Sequence, residues 1–240
     1  MHFSLKHIVI MVAAVLTAAS VSFSHDSQTP NKSATADAQS SQVKVVNPRP
    51  ETAYWGADPL NCRVMFSMDH SDLLDVYGII PGTGISGGAD IDDRDFTKSR
   101  FNIVMQADKL TTNSGWDNMG MIKGADGGLD VAKYPTITFS STRITKDGKN
   151  LKFIGMLTLH GVTKEVTIDI DRESKIVEWE GNRYRAYQGT TVINRQDFGI
   201  NWVEPERFDD PIFGNKIKIT AIIEVVNPPL NEPGATTQSK

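Results

Sequence analysis

Five histidines, one cysteine and a cluster of aspartates are the side chains whose types could support catalysis or metal binding. His2, His7 and His25 fall in the first 25 positions, which leaves His70 and His160 for the rest of the chain, too few for a three-histidine metal site. The single cysteine, Cys62, excludes an intrachain disulfide, a zinc ribbon and an iron–sulfur site. It falls on an alternating apolar segment with Arg63 as its basic neighbour, the setting of a buried structural thiol rather than a reactive one. Asp90, Asp92, Asp93 and Asp95 have the density of a calcium loop but lack its central glycine and terminal glutamate, so a solvated acidic loop is expected. Two glycine motifs overlap just before them. Gly82-Thr83-Gly84-Ile85-Ser86-Gly87 fits G-x-G-x-x-G, with Asp108 about 20 residues on, but it follows Pro81 and opens no helical period, so it reads as a flexible glycine loop. Gly84-Ile85-Ser86-Gly87-Gly88 fits G-x-S-x-G, yet the one later histidine, His160, sits in a predicted hairpin turn, which leaves Ser86 without a base. These residues point to no metal, no cofactor and no nucleophile–base pair.

The elements that carry these residues are strands. Val64, Phe66 and Met68 alternate with polar neighbours, as do Phe101, Ile103 and Met105, and Ile137 and Phe139. Leu151, Phe153, Gly155, Leu157 and Leu159 share a face; so do Val166, Ile168 and Ile170, and Ile217, Ile219, Ala221 and Ile223. Asp147-Gly148 and His160-Gly161 separate three of these runs, and such pairs supply the positive φ angles of tight hairpins. Many short strands with one apolar face each predict a barrel or a sandwich in a single domain. The glycine-rich stretch from Gly115 to Pro135 lacks alternation and is expected to carry short helices at most.

The chain has 240 residues, is 39% hydrophobic and carries a net charge of −4, with no cluster of Lys or Arg, which argues against nucleic-acid binding. Lys6 precedes an apolar run from Ile8 to Phe23 that is shorter than the ~20 residues a membrane-spanning helix needs. The run ends in Ser22-Phe23-Ser24, so residues 1–24 are expected to be a signal peptide cut near Ser24, and the protein to be periplasmic or secreted. Residues 25–50 are polar and read as a flexible leader, as do residues 227–240 as a tail. The folded domain is placed at 51–226.

Three blocks are specific. Lys133-Tyr134-Pro135-Thr136-Ile137-Thr138-Phe139-Ser140-Ser141-Thr142 is followed by Gly155-Met156-Leu157-Thr158-Leu159-His160-Gly161-Val162-Thr163-Lys164, and then by Ile193-Asn194-Arg195-Gln196-Asp197-Phe198-Gly199. Upstream, Val64-Met65-Phe66 leads to His70 and Gly78, and Leu110-Thr111-Thr112-Asn113 precedes the glycine-rich stretch. In order and spacing these resemble the YceI-like family of bacterial periplasmic proteins, over roughly residues 52–226. The resemblance implies an all-β, lipocalin-like antiparallel barrel of about eight strands with a short helical segment, and an apolar tunnel that holds a polyisoprenoid or similar amphiphile. The sequence departs from the family after Asn113. There Gly115-Trp116-Asp117-Asn118-Met119-Gly120-Met121-Ile122 stands where the family has an Arg-Asp pair and then His-Leu; Asp117 can stand in for the Asp, the Arg is replaced by Trp116 or displaced, and the His-Leu pair is absent. The resemblance places this segment beside the cavity mouth.

In such a barrel the inward set is apolar, and the ligand-binding candidates are Phe66, Met68, Phe101, Ile103, Met105, Phe139, Phe153, Leu157, Leu159, Ile168 and Ile219. Gly155 interrupts this bulky face, either to leave room for a ligand or to bend the strand. His70 and Arg195 are candidates for a polar head group; Arg195 with Asp197 also suits a purely structural turn. The expected function is a non-catalytic exported carrier for an isoprenoid lipid, a quinone-like amphiphile or another long apolar molecule. The alternatives are a secreted lipid-modifying enzyme acting through His70 and Asp117, and an interaction module tethered by its leader. Homodimer formation is left open by the free cysteine.

Overall fold

A computed structural model describes residues 52–113, 118–201 and 213–227. The signal segment, the leader, Trp116, Asp117 and residues 228–240 lie outside the described residues. In chain order the strands are β1 (Thr52–Ala57), β2 (Arg63–His70), β3 (Leu74–Pro81), β4 (Ile85–Asp92), β5 (Arg100–Gln106) and β6 (Thr111–Thr112). After the helix α1 (Asn118–Lys123) come β7 (Thr136–Asp147), β8 (Asn150–Leu159), β9 (Val162–Glu173), β10 (Val177–Trp179), β11 (Asn182–Asn194) and β12 (Phe213–Asn227). The runs of alternating apolar residues form β2, β5, β7, β8, β9 and β12, because a strand puts every second side chain on one face.

The antiparallel barrel of about eight strands implied by the resemblance is present. Strand order β11-β9-β8-β7-β5-β4-β1-β12 closes where β12 pairs with β11 along their whole length, from Asn194 opposite Lys216 to Arg183 opposite Asn227. β10 extends the sheet from β11, and β2, β3 and β6 extend it from β12. β1 and β2 share one edge of β12, with Val225 opposite Ala57 and Ile217 opposite Met68. Between them the chain bulges through Asp58–Cys62, where Asp58 N donates to Glu224 O at 2.9 Å and Cys62 N donates to Asp58 O at 3.0 Å. Cys62 thus precedes β2 rather than lying on it. Asn227, placed in the tail by composition, ends β12 and donates its Nδ2 to Tyr54 O at 2.7 Å.

The two overlapping glycine motifs are not a flexible loop. Gly82–Gly84 makes one helical turn and Ile85–Asp92 is a central barrel strand between β1 and β5. A Cβ at Gly88 would lie 2.1 Å from Trp55 O, so the strand is glycine-rich because its neighbours crowd it. Asp90 and Asp92 belong to the same strand, so the acidic loop is shorter than expected. Asp92 ends it by accepting backbone bonds from Arg94 N (2.9 Å) and Asp95 N (2.8 Å), which hold its carboxyl below the usual range.

The interior also explains Gly155. A Cβ there would lie 2.4 Å from Ser140 O and 2.8 Å from the Phe139 ring, beside the bulge of β7 between Ser141 and Arg143. The glycine admits the facing strand, not a ligand. Gly155→Ala is expected to cost about 1–3 kcal/mol of stability in a denaturant titration, through overpacking.

Candidate functional site

Among the described residues two apolar cavities lie in the barrel interior. The first, of about 80 Å³, is lined by Phe101, Ile103, Phe139, Phe153, Val166, Ile168, Ile170, Tyr187, Gly189, Thr191, Ala221 and Ile223. The second, of about 110 Å³, is lined by Met65, Phe66, Met68, Ile80, Leu110, Ile122, Leu129, Ile137, Leu159, Ile193, Ile200 and Ile217. Val64, Met105, Leu157 and Ile219 line both, so the cavities lie end to end along the barrel. By this measure a water needs only ~10–15 Å³, yet a site lined by apolar atoms gives water no partners and stays dry.

All eleven apolar candidates from the sequence line one cavity or both. The two polar candidates line neither. Arg195 is 3% exposed and follows β11 in a short helical turn, Arg195–Phe198. Its guanidinium donates to three carbonyls: Nη1 to Ile200 O at 2.9 Å, Nη2 to Phe213 O at 3.2 Å and Nε to Gly214 O at 3.3 Å. It therefore ties the end of β11 to the start of β12, while Asp197 pairs with Lys164 at 3.7 Å. His70 ends β2 opposite Phe213, with the ring centroids 5.2 Å apart, and its Nδ1 is buried with no hydrogen-bond partner among the described residues.

The two barrel ends are covered differently. At one end Phe96, Phe101, Phe153 and Tyr187 cluster, with centroids 4.6–6.3 Å apart. Arg185 lies over the Phe96 and Tyr187 rings at 4.7 and 5.2 Å and pairs with Glu173. Arg183 lies over the Trp55 ring at 4.9 Å. Burial pushes the Tyr187 hydroxyl well above its ordinary pKa, so it stays neutral. At the other end the segment after Asn113, read as a departure at the mouth, places Ile122 and Leu129 against the second cavity. Leu129 N donates to Ile122 O at 2.7 Å, and Val131 N to Lys123 O at 3.0 Å. These residues have no alternation to mark them as lining.

The blocks that carried the resemblance meet at this second end. Tyr134 packs edge-on against His160 with centroids 4.7 Å apart, and His160 Nδ1 hydrogen-bonds Phe198 O at 3.0 Å. His160 and Gly161 make the β8–β9 turn with φ of 51° and 73°. Each block thus contributes one part of a single structural knot.

Cys62 is 3% exposed and its Sγ donates to Glu224 O at 3.3 Å. Burial pushes the thiol up to about 11. A thiol reagent at neutral pH is expected to leave the folded protein unlabelled and to modify one site per chain after denaturation. Labelling of the native protein at the denatured rate would contradict that environment.

Residues 55–225 match the family described as the YceI-like domain. A UPF0312 protein of Enterobacter sp. strain 638 is 31% identical over 142 residues, which are 57% of this chain and 69% of that protein. Protein YceI of Escherichia coli O157:H7 is also 31% identical over 142 residues, covering 57% of this chain and 70% of the relative. Among solved structures, Burkholderia cenocepacia BcnA superposes with a TM-score of 0.56 at 18% identity, over 70% of this chain and 98% of that one.

Proposed function

The chain belongs to the YceI-like family, and from that premise we propose that it is an exported, non-catalytic carrier that holds one long apolar molecule, such as a polyisoprenoid or an isoprenoid quinone, inside the barrel. The observation that carries this reading is the pair of adjacent dry apolar cavities that share Val64, Met105, Leu157 and Ile219 as walls. An eight-stranded barrel whose side chains filled it would leave no such channel. Each methylene moved from water into the channel contributes about 0.8 kcal/mol, so a chain of several isoprene units binds tightly even after its ordering entropy is subtracted. Met65, Met68 and Met105 line the channel, and their unbranched side chains repack around a flexible chain at little cost. His70, the catalytic candidate of the enzyme reading, stands against Phe213 and lines neither cavity.

The test is native mass spectrometry of the protein purified from its own host, with solvent extraction of any bound mass. A stoichiometric, extractable isoprenoid or quinone is the expected result. Protein that emerges empty and also ignores added isoprenoids would overturn the reading. The same preparation gives the mature N-terminus, expected near residue 25 if the chain is exported.

A further inference from the structure

We propose that the gap between β9 and β11 is a lateral portal through which the apolar ligand enters and leaves; this rests on the carrier reading above. The β9–β11 ladder is paired from Tyr187 opposite Glu173 to Thr190 opposite Asp169, and there it stops. Beyond that point Val162–Ile168 pairs with β8 alone, and Thr191–Asn194 with β12 alone, among the described residues. Elsewhere among the described residues the ring strands are hydrogen-bonded to their neighbours, with β12 shared between β1, at Gly56–Ala57, and β2, and with β3–β6 ending the sheet.

An opening of about 650 Å³ lies in this gap. Its lining includes Val166 and Thr191, which also line the first cavity, and Ile193, which lines the second. The same three residues therefore face both the channel and the gap. Val166, Ile168 and Ile170 are only half-buried although they point into the barrel. Backbone groups on the two free edges need water as their partner, so the gap is wet while the channel behind it is dry. Both barrel ends are covered, one by the aromatic cluster under Arg185 and the other by Ile122 and Leu129. The gap in the side of the barrel is the opening that shares lining residues with both cavities.

The portal can open without loss of the fold. Among the described residues three side-chain contacts bridge it: Thr190 Oγ1 donates to Asp171 Oδ2 at 2.7 Å, Lys164 pairs with Asp197 at 3.7 Å, and His160 Nδ1 bonds Phe198 O at 3.0 Å. The first and last mark its two ends. The Lys164–Asp197 pair crosses between them and is exposed on both sides, 44% and 56%, so water replaces it readily.

A staple across the gap tests this. Continued in register, the ladder would set Val192 opposite Thr167, and both point outward, away from the channel lining. Thr167→Cys with Val192→Cys, oxidised to a disulfide, is expected to slow uptake of a short-tailed ubiquinone-type quinone from phosphatidylcholine vesicles by at least about tenfold, with full recovery on reduction. Asp197→Asn removes the crossing pair and is expected to speed uptake and release together by about threefold at unchanged affinity. A stapled protein that loads at the reduced protein's rate overturns the portal. If the disulfide does not form, Asp197→Asn decides: unchanged rates overturn it. Wild-type protein that takes up no quinone at all would remove the carrier reading and the portal with it, whereas uptake indifferent to both changes removes the portal alone.

Discussion

Leu157→Asp is expected to abolish loading of an apolar chain, with a loss of at least ~100-fold in affinity. Leu157 is buried on β8 and lines both cavities, so a carboxylate there faces the apolar space on either side of it. A charge in that position either draws water into a dry site or is neutralised by a raised pKa, and each outcome removes the environment a hydrocarbon needs. Leu157→Met keeps the volume and apolarity and should bind within about threefold of wild type. Isoprenoid titration followed by tryptophan fluorescence reads the affinity, and circular dichroism shows that the barrel is intact. A folded Leu157→Asp protein with wild-type affinity would sink the channel as the binding site.

The second large effect is on stability. Arg195→Ala is expected to cost about 3–5 kcal/mol, because it leaves the carbonyls of Ile200, Phe213 and Gly214 without their donor in a buried site. At roughly 2–4 °C per kcal/mol for a domain of this size, Tm falls by about 6–20 °C. Arg195→Lys should recover only part of this, since an ammonium lacks the planar fork that reaches three separate carbonyls. Calorimetry of the three proteins measures it. A shift of less than about 2 °C for the alanine variant would mean that the guanidinium is dispensable to the fold. Ligand affinity measured well below Tm is expected to stay near wild type, because Arg195 does not line either cavity.

The difference between these two residues follows from what each strand announces. β8 alternates cleanly, so Phe153, Leu157 and Leu159 are recognisable as one inward face from their spacing alone. β11 hides in the sequence, although it is the strand on which the barrel closes. Its inward positions run Arg183, Arg185, Tyr187, Gly189, Thr191 and Ile193, polar at one end, small in the middle and apolar at the other. That gradient follows the barrel from its covered end past the channel to the second end, and it erases the period-two signal. β4 hides for another reason: its glycines are the imprint of Trp55 O and Asn102 O pressed against the strand, and a contact between distant residues leaves no local period.

Ile122 and Leu129 show the same limit. They sit in a stretch with no alternation and no helical stripe, and only their folded position puts them against the channel. Arg195 and His70 have the chemistry of head-group ligands. Chemistry alone does not say which way a side chain turns, and one of them turns to three carbonyls while the other turns to Phe213.

By itself the sequence determined the antiparallel β architecture, the apolar inward face of six strands and the family, since these depend on local alternation and on short blocks of residues. The tertiary structure alone decided that the inward faces enclose two apolar cavities instead of a filled core, that the chain after Asn113 packs against one of them, and that β9 and β11 part along one side. Each of these depends on the distance between strands far apart in the chain, and that distance is set by barrel closure, not by any local pattern.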